Sequence, residues 1–433
     1  MTTTRMTSAL SLGAGARLLR SRLAGNVLSL YAIQGLNTLL PLLTLPFLLR
    51  ALQPAGYGAI MFAQSLMGYA LLVVEFGFNF TAAREISVAR DKPDEIARIY
   101  WTTLAAKSLL LGVSALAVAL IVVATPSFRQ DWPVFAASGL LLVGNVVFPQ
   151  WYFQGLERLR EVAATQAVAK LVAAACIITL VHARDDRVIA AVILSAPQLL
   201  AVAAALVLRK PLAPERFHRP SMREIRQALG RSGHLFAASI STTLYLHTNT
   251  FVLGLMRGPE AVALYSLANR LISAMQALVT PVAQALFPRA SLLFAENRAQ
   301  AWHLLKRVAW VLVPGVALAS LALAIFAPTA VKLLGGSSFA DVVPVLRTMA
   351  IVPVLVTAAT LLAQTVMVNI GLSRQLFRIY LTVGLLNLAL LPALIHVYDA
   401  QGAALALVIA ETLGPILMGA VVWRWARRQT AAA

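Results

Sequence analysis

Four cations stand inside long apolar stretches of this chain: Lys107, Lys170, Arg270 and Arg347. A charge placed mid-bilayer costs at least about 2.5–3.5 kcal/mol unless water or a counter-charge meets it. Two arrangements remove that cost. In the first, Lys107 and Lys170 pair with the two acids that also lie within apolar runs, Glu75 and Glu411, or their stems carry the charge to the interface. In the second, the cations line a water-filled cavity that attracts an anionic ligand, and the two acids form a proton or cation site. Lys107 and Lys170 lie roughly 12–15 Å into their runs at 1.5 Å per helical residue, and Arg270 lies about three turns in. Arg347 is nearer an end, where snorkelling is easier, and a lone His247 reads as packing.

Uncharged polar residues form a second pattern. Gln34, Asn37 and Thr44 are spaced by three and seven, so they share a helix face with Pro41. Ser239, Thr242 and Asn249 repeat that spacing. Such stripes either join helices through hydrogen bonds worth about 0.6 kcal/mol each or line a cavity. The single cysteine, Cys176, sits in an apolar run, which excludes an intramolecular disulfide and any thiol metal motif; no cofactor or metal is expected.

The elements that position these residues follow from composition. The chain is 60% hydrophobic and 12% charged, against about 25% charged in soluble domains. Apolar runs long enough to cross roughly 30 Å of hydrocarbon as helices recur throughout, which predicts an all-α membrane protein. Punctuation by Pro, Gly and charge places twelve spans near 24–49, 59–82, 98–124, 132–154, 162–183, 187–208, 233–255, 260–288, 303–327, 341–368, 376–397 and 402–423. On one face the loops hold only Arg50, Arg129, Arg184, Arg187, Arg257 and Lys332, while most other Lys and Arg residues fall on the opposite face with both termini. Positive charge is retained inside, so both ends are expected to be cytoplasmic. The expected organisation is a basic tail at 1–23, a six-helix lobe at 24–208, a basic cytoplasmic linker at 209–232, a second six-helix lobe at 233–423 and a tail at 424–433. The linker includes a short amphipathic piece, Ser221 to Leu229.

The halves resemble each other. At an offset of 205 residues Pro54 meets Pro259, the segment 62–66 meets 267–271, and Gln34, Asn37 and Thr44 meet Ser239, Thr242 and Asn249. Arg84 meets Arg289 at the cytoplasmic end of the hairpin, the place of a gate or entrance. Six intervening spans give both copies the same orientation, related by a pseudo-two-fold axis along the membrane normal, an arrangement known in transporters that hold substrate between the halves.

Several segments carry a family resemblance: Phe76-Gly77-Phe78-Asn79, Ala83-Arg84-Glu85-Ile86-Ser87, and above all Phe148-Pro149-Gln150-Trp151-Tyr152-Phe153-Gln154-Gly155-Leu156-Glu157. Together they resemble the O-antigen and polysaccharide-unit flippases of the multidrug/oligosaccharidyl-lipid/polysaccharide exporter superfamily, over about residues 24–424. That resemblance implies a V-shaped pair of lobes in a bacterial inner membrane, a cationic cavity and alternating access. The implied substrate is an undecaprenyl-pyrophosphate-linked oligosaccharide, used for O-antigen, exopolysaccharide or capsule. A proton or sodium counter-ion, and the polymerase and chain-length regulator of the same pathway, are implied partners. Related flippases use cavity arginines on the first two helices and the eighth; Arg270 suits the eighth, and with no arginine inside helix one, Lys107 or Lys170 would substitute.

Other classes fit less well. The basic residues lie between apolar segments rather than on one soluble face, which argues against nucleic acid. A glycan polymerase or ligase needs a substantial outer loop, and the outer loops are short. No nucleotide-binding loop is present. A cation-coupled drug exporter of the same superfamily is the alternative, disfavoured because helix one has no acid.

Overall fold

In hydrocarbon a backbone N–H or C=O has no solvent partner, and helices satisfy both groups internally. The computed structural model describes residues 4–208 and 212–432, with side chains described except at 4–37, 127, 159, 237–238, 241–246 and 429–432. No strand occurs among the described residues. Eight described helices are long and apolar enough to cross a membrane, or nine if the bent pair Arg184–Ser195 and Pro197–Val207 is one span; that pair turns by 55° where Pro197 begins a new helix.

Breaks fall where the sequence punctuates. The element Thr4–Glu75 turns at Gln53 (φ 57°) and Ser373–Ala432 turns at Asp399 (φ 51°), each a single left-handed residue between two expected spans. The expected fourth span is three short helices, Trp132–Ser138, Leu140–Val147 and Gln150–Gly155. The expected tenth is Val342–Met349 and Val352–Thr360, followed by a π-helical stretch, Leu361–Met367.

The amphipathic piece after Ser221 is not a separate helix. Met222–Arg257 is continuous, with Ser221 as N-cap: its hydroxyl accepts from the Glu224 N–H at 3.3 Å, and its own N–H donates to the Glu224 carboxylate at 2.8 Å. Just before it, the chain crosses the first half. The Tyr100 hydroxyl donates to the Leu212 carbonyl and the Trp101 indole to that of Arg216, both at 3.1 Å, and Arg216 pairs with Asp94.

The halves meet along two seams. In one, Leu45, Leu48 and Leu49 share a buried cluster with Leu267, Ala268 and Ile272. In the other, the helix after Gln53 and the short helix Phe78–Val88 that follows it run against Met222–Arg257. There the Tyr69 hydroxyl bonds Thr248 at 2.8 Å, Phe76 stacks on Phe236, Thr81 bonds Ser232 at 2.7 Å and Glu85 pairs with Arg231 at 2.8 Å. At the expected outer end the approach is closest. A methyl group on Gly58 would lie 1.8 Å from the Pro259 carbonyl oxygen and 3.2 Å from the Ala263 nitrogen, and one on Gly254 would strike the Phe62 ring. Gly58 and Ala263 are partners in the 205-residue repeat, so their contact marks where an axis between the halves passes.

Candidate functional site

The first half contains a buried polar chain built on three helices. Lys107, on Pro93–Ala124, is 1% exposed. Its Nζ donates to the Asn145 carbonyl oxygen at 3.0 Å and to Asn145 Oδ1 at 2.8 Å, and Asn145 Nδ2 donates to Glu75 Oε1 at 3.0 Å. The ammonium therefore meets its counter-charge through one amide. This is the pairing arrangement for Lys107 and Glu75, relayed by a residue that sequence reasoning overlooked. Asn145 had a visible signal, being the one amide in Leu140–Val147.

Arg270 is differently placed. It is exposed and lines a cavity of about 210 Å³ with Thr38, Pro41, Leu42, Ser273, Ala274 and Ala277. The lining comes from the first helix of one half and from Pro259–Glu296, the second helix of the other, so this cavity lies between the two halves. Pro41 stands in the wall, and Thr44 Oγ1 donates back to the Pro41 carbonyl at 3.1 Å. The Arg270 charge also reaches the buried Tyr57 phenol. Small side chains on the next two turns, Ser273, Ala274 and Ala277, leave the guanidinium open to the cavity. The arrangement can bind an anion at the interface of the two halves.

The other expected cations do not join it. Lys170 is half-buried on Leu159–Leu180. Arg347 Nε donates to the Ala324 carbonyl at 3.2 Å, at the end of Arg298–Ile325, where a cation meets a helix's free carbonyls. Arg84 lines a separate, larger cavity of about 580 Å³ with Lys92, Arg98, Arg231, Glu85 and Glu95, at the expected cytoplasmic end. Arg289 is exposed near the end of its helix.

The second half has its own buried polar chain. Asn249 Nδ2 donates to the Tyr265 hydroxyl at 3.1 Å, and Asn387 Nδ2 donates to Asn249 Oδ1 at 2.8 Å. Glu411 acts electrostatically on Tyr265 and on Tyr380. Asn249 thus joins helices, while Ser239 Oγ bonds its own helix at the Leu235 carbonyl, 2.9 Å away. Gln34, Asn37 and Thr242 lie outside the residues whose side chains are described.

The segments that carry the resemblance converge. Trp151, Tyr152 and Phe153 share a buried cluster with Ala82, Ala83, Ile86 and Tyr100. Glu157, at φ 58°, is paired with Arg90 at 2.9 Å. Residues some 70 positions apart thus form one node, which supports the end of the first half where the linker crosses.

Comparison with known proteins agrees with this architecture. A model of the family described as "Polysaccharide biosynthesis protein" matches residues 23–294. An Escherichia coli (strain K12) protein named "Putative O-antigen transporter" is 30% identical over 395 residues, spanning 91% of this chain and 95% of that protein. A Shigella dysenteriae protein of the same name is 27% identical over 396 residues, with 91% and 98% covered. Among solved structures, an inward-facing multidrug resistance MATE family transporter of the MOP superfamily superposes with a TM-score of 0.71 at 16% identity, covering 94% of this chain and 98% of that one. The lipid II flippase MurJ in an inward closed conformation gives 0.65 at 12% identity, covering 91% and 87%. The fold is the two-lobed, all-helical membrane fold of these transporters.

Proposed function

Since the chain belongs to the polysaccharide biosynthesis protein family, we propose that it is a flippase for undecaprenyl-pyrophosphate-linked oligosaccharide units. It moves them from the cytoplasmic to the periplasmic leaflet of a bacterial inner membrane, for O-antigen, exopolysaccharide or capsule. The observation that carries this reading is the Arg270 cavity between the two halves. A guanidinium offers paired donors that suit a pyrophosphate, and a cavity at a seam lets the prenyl chain stay in lipid while the head crosses.

Alternating access then requires the seams to open in turn. The halves close tightly around Gly58, Pro259, Phe62 and Gly254 at the expected outer end, which matches a state loaded from the cytoplasm. The Arg84 cavity at the other end carries more positive than negative side chains and offers an anionic head its first encounter. Lys107 and Glu75 are engaged inside the first half, so Arg270 is the primary pyrophosphate contact. A coupling proton or sodium ion would be served by Glu411, on the Ser373–Ala432 element of the second half. Both termini are cytoplasmic in this reading.

The test is reconstitution in liposomes with a fluorescent undecaprenyl-pyrophosphate oligosaccharide, read by a membrane-impermeant quencher. Wild type should redistribute the lipid and Arg270→Gln should slow this at least about tenfold, the equivalent of losing about 1.4 kcal/mol of charge-assisted binding. Normal transport by a folded Arg270→Gln protein would refute the site, and absence of transport by wild type would refute the function.

A further inference from the structure

The Pro259–Glu296 helix carries a second cavity, of about 230 Å³, beyond the one that Arg270 lines. Three amides, Gln276, Gln284 and Gln364, and three hydroxyls, Thr280, Thr357 and Thr360, line it with the apolar Val279, Ala283 and Val356, and no charged residue takes part. Gln276, Thr280 and Gln284 recur every fourth residue on one helix face. Thr280 and Gln284 are exposed within an expected membrane span, where polar side chains facing lipid would be costly, so the stripe faces a hydrated space. The opposite wall is irregular. Gln364 lies in the π-helical stretch Leu361–Met367, a local widening that is frequent at functional sites. In the same stretch the buried Thr365 hydroxyl has no hydrogen-bond partner.

From this geometry we infer that the cavity is the subsite for the oligosaccharide, and that it selects uncharged sugar rings. The inference rests on the flippase reading above. Amides and hydroxyls donate and accept at once, as sugar hydroxyls do, and the apolar residues offer contact for the faces of a ring. The volume equals roughly eight waters at 30 Å³ each, room for one ring at a time. Position agrees as well. Gln276 and Gln284 lie six and fourteen residues beyond Arg270, about 9 and 21 Å along the axis, and the helix runs toward the expected cytoplasmic side. Around the axis the stripe lies about 40–120° from Arg270, so a pyrophosphate held by Arg270 would pass its sugars down and partly around the helix to reach it.

The test compares two lipids in detergent: bare undecaprenyl pyrophosphate, and the same lipid bearing an uncharged trisaccharide. Wild type should bind the trisaccharide lipid more tightly than the bare one. Gln276→Met with Gln284→Met removes the amides at similar volume. The pair should weaken trisaccharide-lipid binding roughly 5- to 150-fold, the loss of two neutral hydrogen bonds, and leave bare-lipid binding unchanged. Gln284→Asn, which keeps an amide, should retain part of the preference. Three results overturn the inference while sparing the flippase reading: no preference in wild type, an intact preference in the methionine pair, or equal weakening of both lipids. Failure of wild type to bind either lipid overturns both.

Discussion

Neutralising Glu75 should destabilise the protein through Lys107, more than 30 residues away in sequence. The ammonium is buried, with two oxygens of Asn145 as direct partners, and Asn145 passes the contact to Glu75. Adding the two hydrogen-bond lengths to the width of the amide puts the charges at most about 8 Å apart. At an effective dielectric near 20 their attraction is then about 2 kcal/mol. Glu75→Gln keeps the amide's partner and removes only the charge, so about 2 kcal/mol is its expected cost. Lys107→Met removes the ammonium and leaves the Asn145 oxygens short of donors, at about 1–3 kcal/mol. With both replaced, the shared attraction has already gone, so the double variant should be about 2 kcal/mol more stable than the sum of the two losses implies. Equilibrium unfolding in mixed micelles of mild detergent and SDS measures all three. With an unfolding entropy of about 2.1 cal/mol/K per residue, a loss of 2 kcal/mol corresponds to a melting shift of roughly 2–3 °C. If the single losses add to within about 0.5 kcal/mol, Glu75 is not the counter-charge of Lys107.

Two further outcomes test the seams and the linker. In a Cys176→Ala background, Phe62→Cys with Gly254→Cys places two thiols where a Gly254 methyl would approach Phe62 Cγ to 2.8 Å, within reach of a disulfide; oxidation should stop lipid redistribution and reductant restore it. Full transport by the cross-linked protein would show that the outer end need not open. At the linker, folding holds the Glu224 carboxyl down from 4.5 to about 2, chiefly through donation from the Ser221 N–H and hydroxyl. Its folded value is the lower one, so its stabilisation is complete above about pH 4.5 and is lost as pH falls through about 2. Amide hydrogen exchange over residues 222–226 should quicken over that window after correction for intrinsic rates, and Ser221→Ala, which keeps the N–H but removes the hydroxyl, should weaken the response in part. An unchanged pH response in Ser221→Ala would show that the hydroxyl takes no part in holding Glu224 ionised.

Hydropathy is a local property, and so the sequence alone establishes the all-helical membrane class. The turns at Gln53 and Asp399 fall between runs already visible as separate, and the resemblance in the Trp151 segment identifies the family before any coordinates. The repeat is legible too, because Pro54 and Pro259 or Arg84 and Arg289 keep a fixed offset. What a charged residue does inside a span is not local. Lys107 and Arg270 look alike in sequence, each a cation among apolar neighbours. Packing turns Lys107 toward Asn145 and Glu75 on two other helices, and turns Arg270 into a cavity between the halves. The Gln276, Thr280 and Gln284 stripe had a readable period, yet its meaning depends on Gln364 and Thr360 standing opposite, across a π-helical turn that no spacing rule announces. Tertiary structure decided these roles, because the energy of a buried polar group is set by the partners that other helices bring to it.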